Sequence, residues 1–317
     1  MWIASAYLKR WPRDSDRGFT LVLVLWIAGL LAVLAGGLSV SVRTQVRVSA
    51  NIVESARADA LADGGVALAI SDLIAARRTR DHQRRFPIDG SAVACSIPGE
   101  GTLIISVADE AGRVDVNAAG VPILQALFAG LGQSPEKAAQ LAEAIFDFRD
   151  ADDERKPNGG ESAEYRAAGM GGLPKNGPLQ SIAELEQVYG MTPEFITRVR
   201  PYLSTHSGLP GIDASLASPE LIALLRPGLG GAQSFASFSE LHAAVALPAI
   251  FVSASQRKTF ALRVVARLSS GAAFVREAIV DLGSQQPGRH AFRRWTRGLE
   301  TVGSETGLPQ GHPFSSC

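Results

Sequence analysis

The sequence predicts an α+β protein in which a long N-terminal helix packs on a small antiparallel sheet and a large helical region is inserted between the strands. Three observations predict this fold: an uncharged apolar run near the N-terminus, two separated pairs of β-branched segments, and helical periodicity between them. The chain has 317 residues, with 31 acidic and 31 basic side chains. This length suggests about two domains, and the balanced charge does not favour a protein that coats nucleic acid.

The apolar run extends from Gly18 to Val42 and contains no charged residue. About 20 apolar residues are enough for a helix to cross the hydrocarbon core of a bilayer, so residues 19–42 are predicted to span a membrane once. Basic residues outnumber acidic ones before the run, which favours a cytoplasmic location for that side. We therefore expect a single-pass protein of the cell inner membrane, with a cytoplasmic N-terminus and a periplasmic main domain.

Helical periodicity continues beyond this run, and residues 43–84 are predicted to form an amphipathic continuation of the same helix. Something must then cover the apolar face of this continuation. Gly64 and Gly65 leave two alternatives open, because glycine weakens a helix. The chain forms either one helix from Phe19 to about Arg78 or two helices with a break between them.

Strand patterns occur on both sides of the inserted region. Residues 85–114 contain a predicted hairpin around "PGEG", and residues 258–298 contain a second hairpin around "SSG" followed by one more strand. Residues 115–250 are predicted to be helical, and residues 299–317 are expected to form a flexible tail. The two cysteines are Cys95 and Cys317, and the sequence does not decide whether they pair.

The helical region contains a weak internal repeat. Residues 114–128 and 212–225 each place an aspartate before a small polar turn and an apolar helix. Asn117 and either Ser215 or Ser218 are the predicted helix starts, because short polar side chains accept hydrogen bonds from the first turn.

The pattern Arg-Gly-Phe-Thr-Leu ahead of a long apolar helix is similar to the type IV pilin class. The resemblance implies that a prepilin peptidase cuts between Gly18 and Phe19, removes residues 1–18 as a cytoplasmic leader, and leaves Phe19 as a methylated N-terminus. Members of the class usually carry glutamate at the fifth position after the cut, where it pairs with the terminal ammonium of a neighbouring subunit. Here that position is Leu23. A carboxylate in the bilayer is costly unless it is neutralised, so Leu23 marks a subunit at the filament tip, without a neighbour above it.

The rest of the chain resembles the K-type minor pseudopilins of the type II secretion system, over roughly residues 17–298. The blocks that carry the resemblance are "DEAGRVDVNAA" (109–119), "AEAIFDFRDADDERKPNGGESAEY" (142–165), "PKNGPLQSIAELEQVYGMTPE" (174–194), "RPYLSTHS" (200–207) and "ASPELIALL" (217–225). The resemblance implies a SAM-like or helix-hairpin-helix-like insertion and a non-enzymatic role, in which the chain caps the tip of the periplasmic pseudopilus and supports export across the outer membrane. The implied partners are other minor pseudopilins of the tip complex, the inner-membrane assembly platform and the prepilin peptidase.

A dense group of carboxylates lies within the second of these blocks. Hard oxygen ligands at short spacing suit calcium, although the spacing is not that of an EF-hand, and the residues alone leave a solvated acidic loop as the alternative. The resemblance implies a calcium site in the insertion. By motif position its ligands are Asp150, Asp152, Asp153 and Glu161.

Two other functions remain open at this stage, whereas no catalytic residue set is recognisable. The stretch that begins "VDVNAAGVPILQALF" resembles helix-hairpin-helix units, which suggests a membrane-anchored module for DNA uptake. The segment from Asp109 to Tyr165 has twelve acidic and five basic residues, and this excess of negative charge argues against a phosphate-binding surface. The second alternative is a single-pass periplasmic sensor, which requires that no cut occurs after Gly18.

We expect the mature protein, isolated from its native membrane, to begin at Phe19. Gly18→Ala should be processed poorly and Gly18→Leu not at all, because the resemblance places a glycine immediately before the cut. Intact-chain mass spectrometry measures both the start and an added methyl group. A wild-type chain that begins at Met1, or a Gly18→Leu chain that is processed normally, would contradict the pilin-type assignment.

Overall fold

The computed structural model describes residues 16–78, 84–226, 247–283, 290–298 and 315–317. The first fifteen positions of the expected leader, residues 227–246 of the expected helical region and residues 299–314 of the expected tail lie outside this part. Helix α1 runs from Asp16 to Arg78 without interruption, so the single-helix alternative is the one observed. Gly64 and Gly65 do not break α1.

The N-terminal part of α1 is long and apolar enough to cross a membrane. Its most apolar window has a mean hydropathy of 2.6. All residues from Phe19 to Gly37 are exposed, which is the arrangement expected when lipid rather than protein surrounds a helix.

The chain forms two compact units, residues 1–57 and residues 58–317. The end of the first unit has apolar residues on one side of the helix and polar residues on the other. Val42, Val46 and Val53 are exposed on one side of α1 at helical spacing, whereas Arg47 and Asn51 follow on the opposite side.

A six-stranded sheet forms the framework of the second unit, with the order β7-β6-β5-β2-β1-β8. Its strands are β1 (Asp89–Ile97), β2 (Gly101–Asp109), β5 (Thr259–Leu268), β6 (Ala273–Asp281), β7 (Ala291–Arg297) and β8 (Ser315–Ser316). The pairs β1–β2, β2–β5, β5–β6 and β6–β7 are antiparallel, and β8 lies parallel to β1. Both predicted hairpins and the predicted additional strand are therefore present.

The C-terminal half of α1 covers one face of this sheet. Its contact surface alternates small side chains, such as Ala58, Ala62 and Ala69, with the larger Ile70 and Leu73. A Cβ atom on Gly65 would lie 2.7 Å from Cγ1 of Val264 on β5. Gly65 is therefore needed for the close approach of helix and sheet.

The helical region lies between β2 and β5 and has its own hydrophobic core. Its regular elements are β3 (Val114–Asp115), α2 (Val121–Gly130), α3 (Pro135–Arg149), α4 (Ser162–Ala167), α5 (Pro193–Val199), β4 (Leu203–Ser204) and α6 (Pro219–Leu224). In this core the ring of Phe128 on α2 meets Phe195 on α5 edge to face, with centroids 5.3 Å apart.

The internal repeat in the sequence corresponds to a repeated local structure. Asp115 accepts a hydrogen bond from the Asn117 N–H at 2.8 Å, and Asp213 accepts one from the Ser215 N–H at 3.0 Å. Ser218 caps α6, as one of the predicted alternatives has it. The prediction for Asn117 is wrong, because Gly120 is the N-cap of α2.

Asn117 is instead used to connect two segments of the helical region. Its side-chain amide donates to the carbonyl of Leu179 and accepts from the Leu179 N–H, both at 2.8 Å. This two-way bond fixes the loop before α2 against the loop that follows α4.

A disulfide joins Cys95 on β1 to Cys317, with 5.2 Å between the Cα atoms. The Cys317 N–H donates to the Ser96 carbonyl, and Arg85 donates to the Cys317 carbonyl at 2.7 Å. The expected flexible tail is thus anchored at residues 315–317 by a covalent bond and by strand pairing.

Loss of this disulfide should destabilise the protein. Cys317→Ser should lower the free energy of unfolding by about 2–4 kcal/mol, since the bridge closes a loop between residues 222 positions apart. Denaturant unfolding of the full chain in detergent micelles measures the change. A reducing agent should destabilise the wild type by a similar amount and leave Cys317→Ser unaffected; equal stability of the two oxidised proteins would contradict a structural role for the bridge.

Candidate functional site

The candidate site is the acidic loop that connects α3 to α4. Ser134 starts α3 by accepting a hydrogen bond from the Lys137 N–H at 3.2 Å. The apolar side chains of α3 enter the core of the helical region, as illustrated by Leu141, Ile145 and Phe148. The last turn of the same helix also carries Asp147, which is fully buried. A carboxylate has therefore been placed where the helix pattern would otherwise put an apolar residue.

The loop folds back over Asp147. The Lys156 N–H donates to both carboxylate oxygens of Asp147, at 3.2 and 3.1 Å, and Gly160 provides another backbone bond. A Cβ atom on Gly159 would lie 2.0 Å from Oδ2 of Asp147. Only glycine fits at position 159 unless the carboxylate moves, so the contact with Asp147 explains the glycine at this position.

Glu161 lies at the other end of the loop, directly before α4. Its side chain is 5% exposed, and neither Oε1 nor Oε2 makes a well-formed hydrogen bond with a described residue, although the Glu164 N–H faces this carboxylate in a capping-box arrangement. Oδ1 of Asp150 is likewise buried without a partner. A buried carboxylate oxygen without a partner is costly, so these three oxygens call for a proton or a cation.

The pKa values of the cluster reflect its burial and its concentration of negative charge. Burial, together with the nearby carboxylates of Asp147 and Asp150, raises the pKa of Glu161 to about 7. Burial also raises the pKa of Asp147 to about 6. The pKa of Asp150 is raised by burial and by the charge of Asp152. These groups therefore share one electrostatic environment that opposes full ionisation.

The four ligands expected from the sequence have different environments. Glu161 and Asp150 bring buried oxygens without partners, whereas Asp152 and Asp153 are exposed. Asp152 accepts from the Glu154 N–H at 2.9 Å, and Asp153 accepts from Asn176 at 3.3 Å. Both still act on Glu161 through their charge.

Asp147 is the member of the cluster that the sequence-based ligand set omits. The sequence contains one signal for it: a carboxylate on the apolar side of α3, three residues after Ala144 and one before Phe148. The contact between Asp147 and Gly159 depends on the return of the loop, which the sequence does not reveal.

The described residues contain no group of three or more histidine, cysteine or carboxylate side chains already arranged to hold a metal ion. The donor chemistry nevertheless fits calcium, which takes six to eight oxygen ligands and accepts backbone carbonyls and water among them. The fit rests on the buried, unpartnered oxygens of Glu161 and Asp150.

The expected processing site lies on α1. Gly18 and Phe19 are within its first two turns, and Leu23 follows one turn later as an exposed residue.

Comparison with known proteins gives related sequences. Residues 104–207 match the family model described as Type II secretion system (T2SS), protein K. The chain is 30% identical to Type II secretion system protein K of Klebsiella pneumoniae over 206 residues, which cover 59% of this chain and 62% of the relative. It is 27% identical to the protein of that name from Pectobacterium carotovorum subsp. carotovorum over 124 residues, 38% of either chain. The matches thus span less than two thirds of each relative.

A solved structure shows the same fold. It is a chain of the crystal structure of the GspK-GspI-GspJ complex from the enterotoxigenic Escherichia coli Type 2 Secretion System, with a TM-score of 0.53 and 18% identity. The likeness covers 81% of this chain and 99% of that chain. At this identity it supports the shared arrangement of an N-terminal helix and an antiparallel sheet.

Without a divalent cation, stability should fall as the pH rises from about 4 to above 7. The pKa values of Asp147 and Glu161 are raised above their ordinary 3.8 and 4.5, so the folded state binds more protons than the unfolded state in this range. Thermal unfolding in a chelator at several pH values measures the slope. Saturating calcium should remove it.

Glu161→Gln should therefore have opposite effects in the two conditions. In chelator at pH 7.5 it should stabilise the fold by about 1–3 kcal/mol, because it removes a buried charge without a partner. In calcium it should lower the affinity for the ion by about tenfold or more. Glu194→Gln, an exposed substitution on α5, is the matched control and should change neither. Loss of stability in both conditions would indicate a purely structural carboxylate.

Proposed function

We propose that the chain is a minor pseudopilin that caps the tip of the periplasmic pseudopilus, because residues 104–207 match the family model of type II secretion system protein K. In this role it supports protein export across the outer membrane and acts as a structural subunit rather than an enzyme.

One observation carries this proposal: a single helix serves two different environments. From Phe19 to Gly37 every residue of α1 is exposed and uncharged. From Ala58 onwards the same helix supplies the small side chains that pack on the sheet. A subunit that is first held in a membrane and then added to a filament needs such a helix, because the anchor must be continuous with the folded body.

The proposed life cycle begins in the cell inner membrane, with the N-terminus in the cytoplasm and the main domain in the periplasm. A prepilin peptidase cuts between Gly18 and Phe19, Phe19 is methylated, and the inner-membrane assembly platform lifts the subunit out. Support comes from the uncharged run and its basic flank.

The tip position is supported by Leu23 and by the helical region between β2 and β5. A subunit with leucine at position 23 lacks the carboxylate that a subunit above it would neutralise. The helical region adds bulk that would hinder further subunits. The proposed neighbours are therefore other minor pseudopilins, which pack against the exposed valines of α1.

Calcium is proposed as a structural ion of the acidic loop. Asp150 and Glu161 would hold it, with Asp152 and Asp153 completing the set. The ion would supply positive charge that neutralises the cluster. The protein's own contribution is to bring the end of α3 and the start of α4 together through Asp147, whose carboxylate binds the Lys156 backbone.

Val46→Glu should separate the chain from its partner subunits. Val46 is 62% exposed on the apolar side of α1, and a charge buried there in a helix–helix contact should weaken association more than about tenfold. Co-purification of other minor pseudopilins with the full chain from detergent-solubilised membranes, together with secretion in a strain lacking the wild-type protein, measures the effect. Asn51→Glu, on the opposite side of the helix, is the control and should behave as wild type. Equal losses for both variants, or for neither, would contradict helix-mediated assembly.

A further inference from the structure

Strand β7 forms an open edge of the six-stranded sheet. It pairs with β6 on one side, and among the described residues no strand pairs with its other side. All seven of its residues are exposed. A free strand edge presents a row of backbone N–H and C=O groups that another extended chain can pair with.

The charge of β7 is positive. Between Ala291 and Arg297 there are three arginines and no acidic residue. Arg293 is partly neutralised, because its guanidinium lies 2.6 Å from Oδ2 of Asp281 on β6. Arg294 forms no ion pair with a described residue, so the edge keeps an excess of positive charge.

Two aromatic side chains are displayed on the same strand. Phe292 is 45% exposed and Trp295 is 38% exposed, and their rings meet edge to face at 4.7 Å. These residues distinguish β7 from an edge that is merely protected by charge. Arginine blunts an edge against aggregation, whereas exposed aromatic rings add affinity for another chain.

Side chains of β6 and α1 support the aromatic pair. The Arg276 guanidinium lies 4.9 Å from the centre of the Trp295 ring and 4.8 Å from that of Phe274. Arg276 is in turn bound by Asp59 and Asp63 of α1. Because α1 fixes Arg276, the ring of Trp295 is ordered before a partner arrives, which reduces the entropic cost of binding.

We infer that β7 is a docking edge for an acidic, extended segment of a partner protein, which joins the sheet as an additional strand. Backbone pairing along β7 would supply affinity, Arg294 would select negative charge, and Phe292 with Trp295 would cover the added strand. This inference is independent of the pseudopilin role and of the calcium site.

The test uses the full wild-type chain in detergent micelles and three fluorescein-labelled eight-residue peptides. One alternates glutamate with threonine, the second alternates lysine with threonine, and the third is the glutamate peptide with every backbone nitrogen methylated. Fluorescence anisotropy titrations should show the first peptide binding at least tenfold more tightly than either of the others. No binding of the first peptide, or equal binding of the methylated form, overturns strand addition.

Substitutions locate the binding edge. Arg294→Glu should weaken binding of the glutamate peptide at least tenfold, whereas Arg166→Glu, an exposed arginine on α4, should leave it unchanged. Equal effects of the two variants would reveal non-specific attraction and overturn the inference. Sedimentation of the protein without peptide tests whether a second copy of this chain pairs with β7 instead. A dimer that Arg294→Glu dissociates would assign the edge to that second copy rather than to a partner protein.

Discussion

The close contact between α1 and the sheet is the constraint on which the rest of the structure depends. A helix that packs on a sheet through alanine and glycine has little freedom in its position, because a larger side chain at Gly65 would collide with Val264. The contact is reinforced by Arg276 on β6, which binds the carboxylates of Asp59 and Asp63. The support of Trp295 by Arg276 therefore also depends on this helix.

Buried carboxylates perform a second organising role, and their environments divide them into two kinds. Asp109 and Asp115 are buried and accept several hydrogen bonds. Ser255 links Asp109 to the half-buried Asp213, because its hydroxyl donates to Asp109 at 2.6 Å and its backbone N–H donates to Asp213 at 2.8 Å. These groups connect the helical region firmly to the end of β2. Glu161 is buried to a similar degree, yet its two carboxylate oxygens make no well-formed hydrogen bond with a described residue, and the same holds for the buried Oδ1 of Asp150. A bound cation would compensate for these missing hydrogen bonds.

The sequence was informative where local pattern and burial agree. Alternating β-branched segments around Pro98–Glu100 and Ser269–Gly271 gave both hairpins, and Ser218 gave a helix start, because each signal is local. Asn117 has the same local signal as Ser218 but makes its bonds with Leu179, 62 positions away. Tertiary contacts of this kind override local preference and cannot be read from spacing.

The acidic loop illustrates the same limit at the candidate site. Its composition indicates oxygen ligands for a hard cation, yet composition does not separate the buried Glu161 from the exposed Asp152. That distinction arises from the return of the loop over Asp147, which requires glycine at position 159. Family resemblance suggested the type of ion, whereas burial and missing hydrogen bonds separate Glu161 and Asp150 from the exposed Asp152 and Asp153.

The bond between Cys95 and Cys317 has a consequence for biosynthesis. Cys95 lies in the first strand of the sheet, and its partner follows 222 positions later. Because synthesis proceeds from the N-terminus, the thiol of Cys95 is made long before that of Cys317, and it lacks this partner while both hairpins and the whole inserted region are completed. The covalent link between β1 and residue 317 can therefore form only after the rest of the sheet and the inserted region have been synthesised.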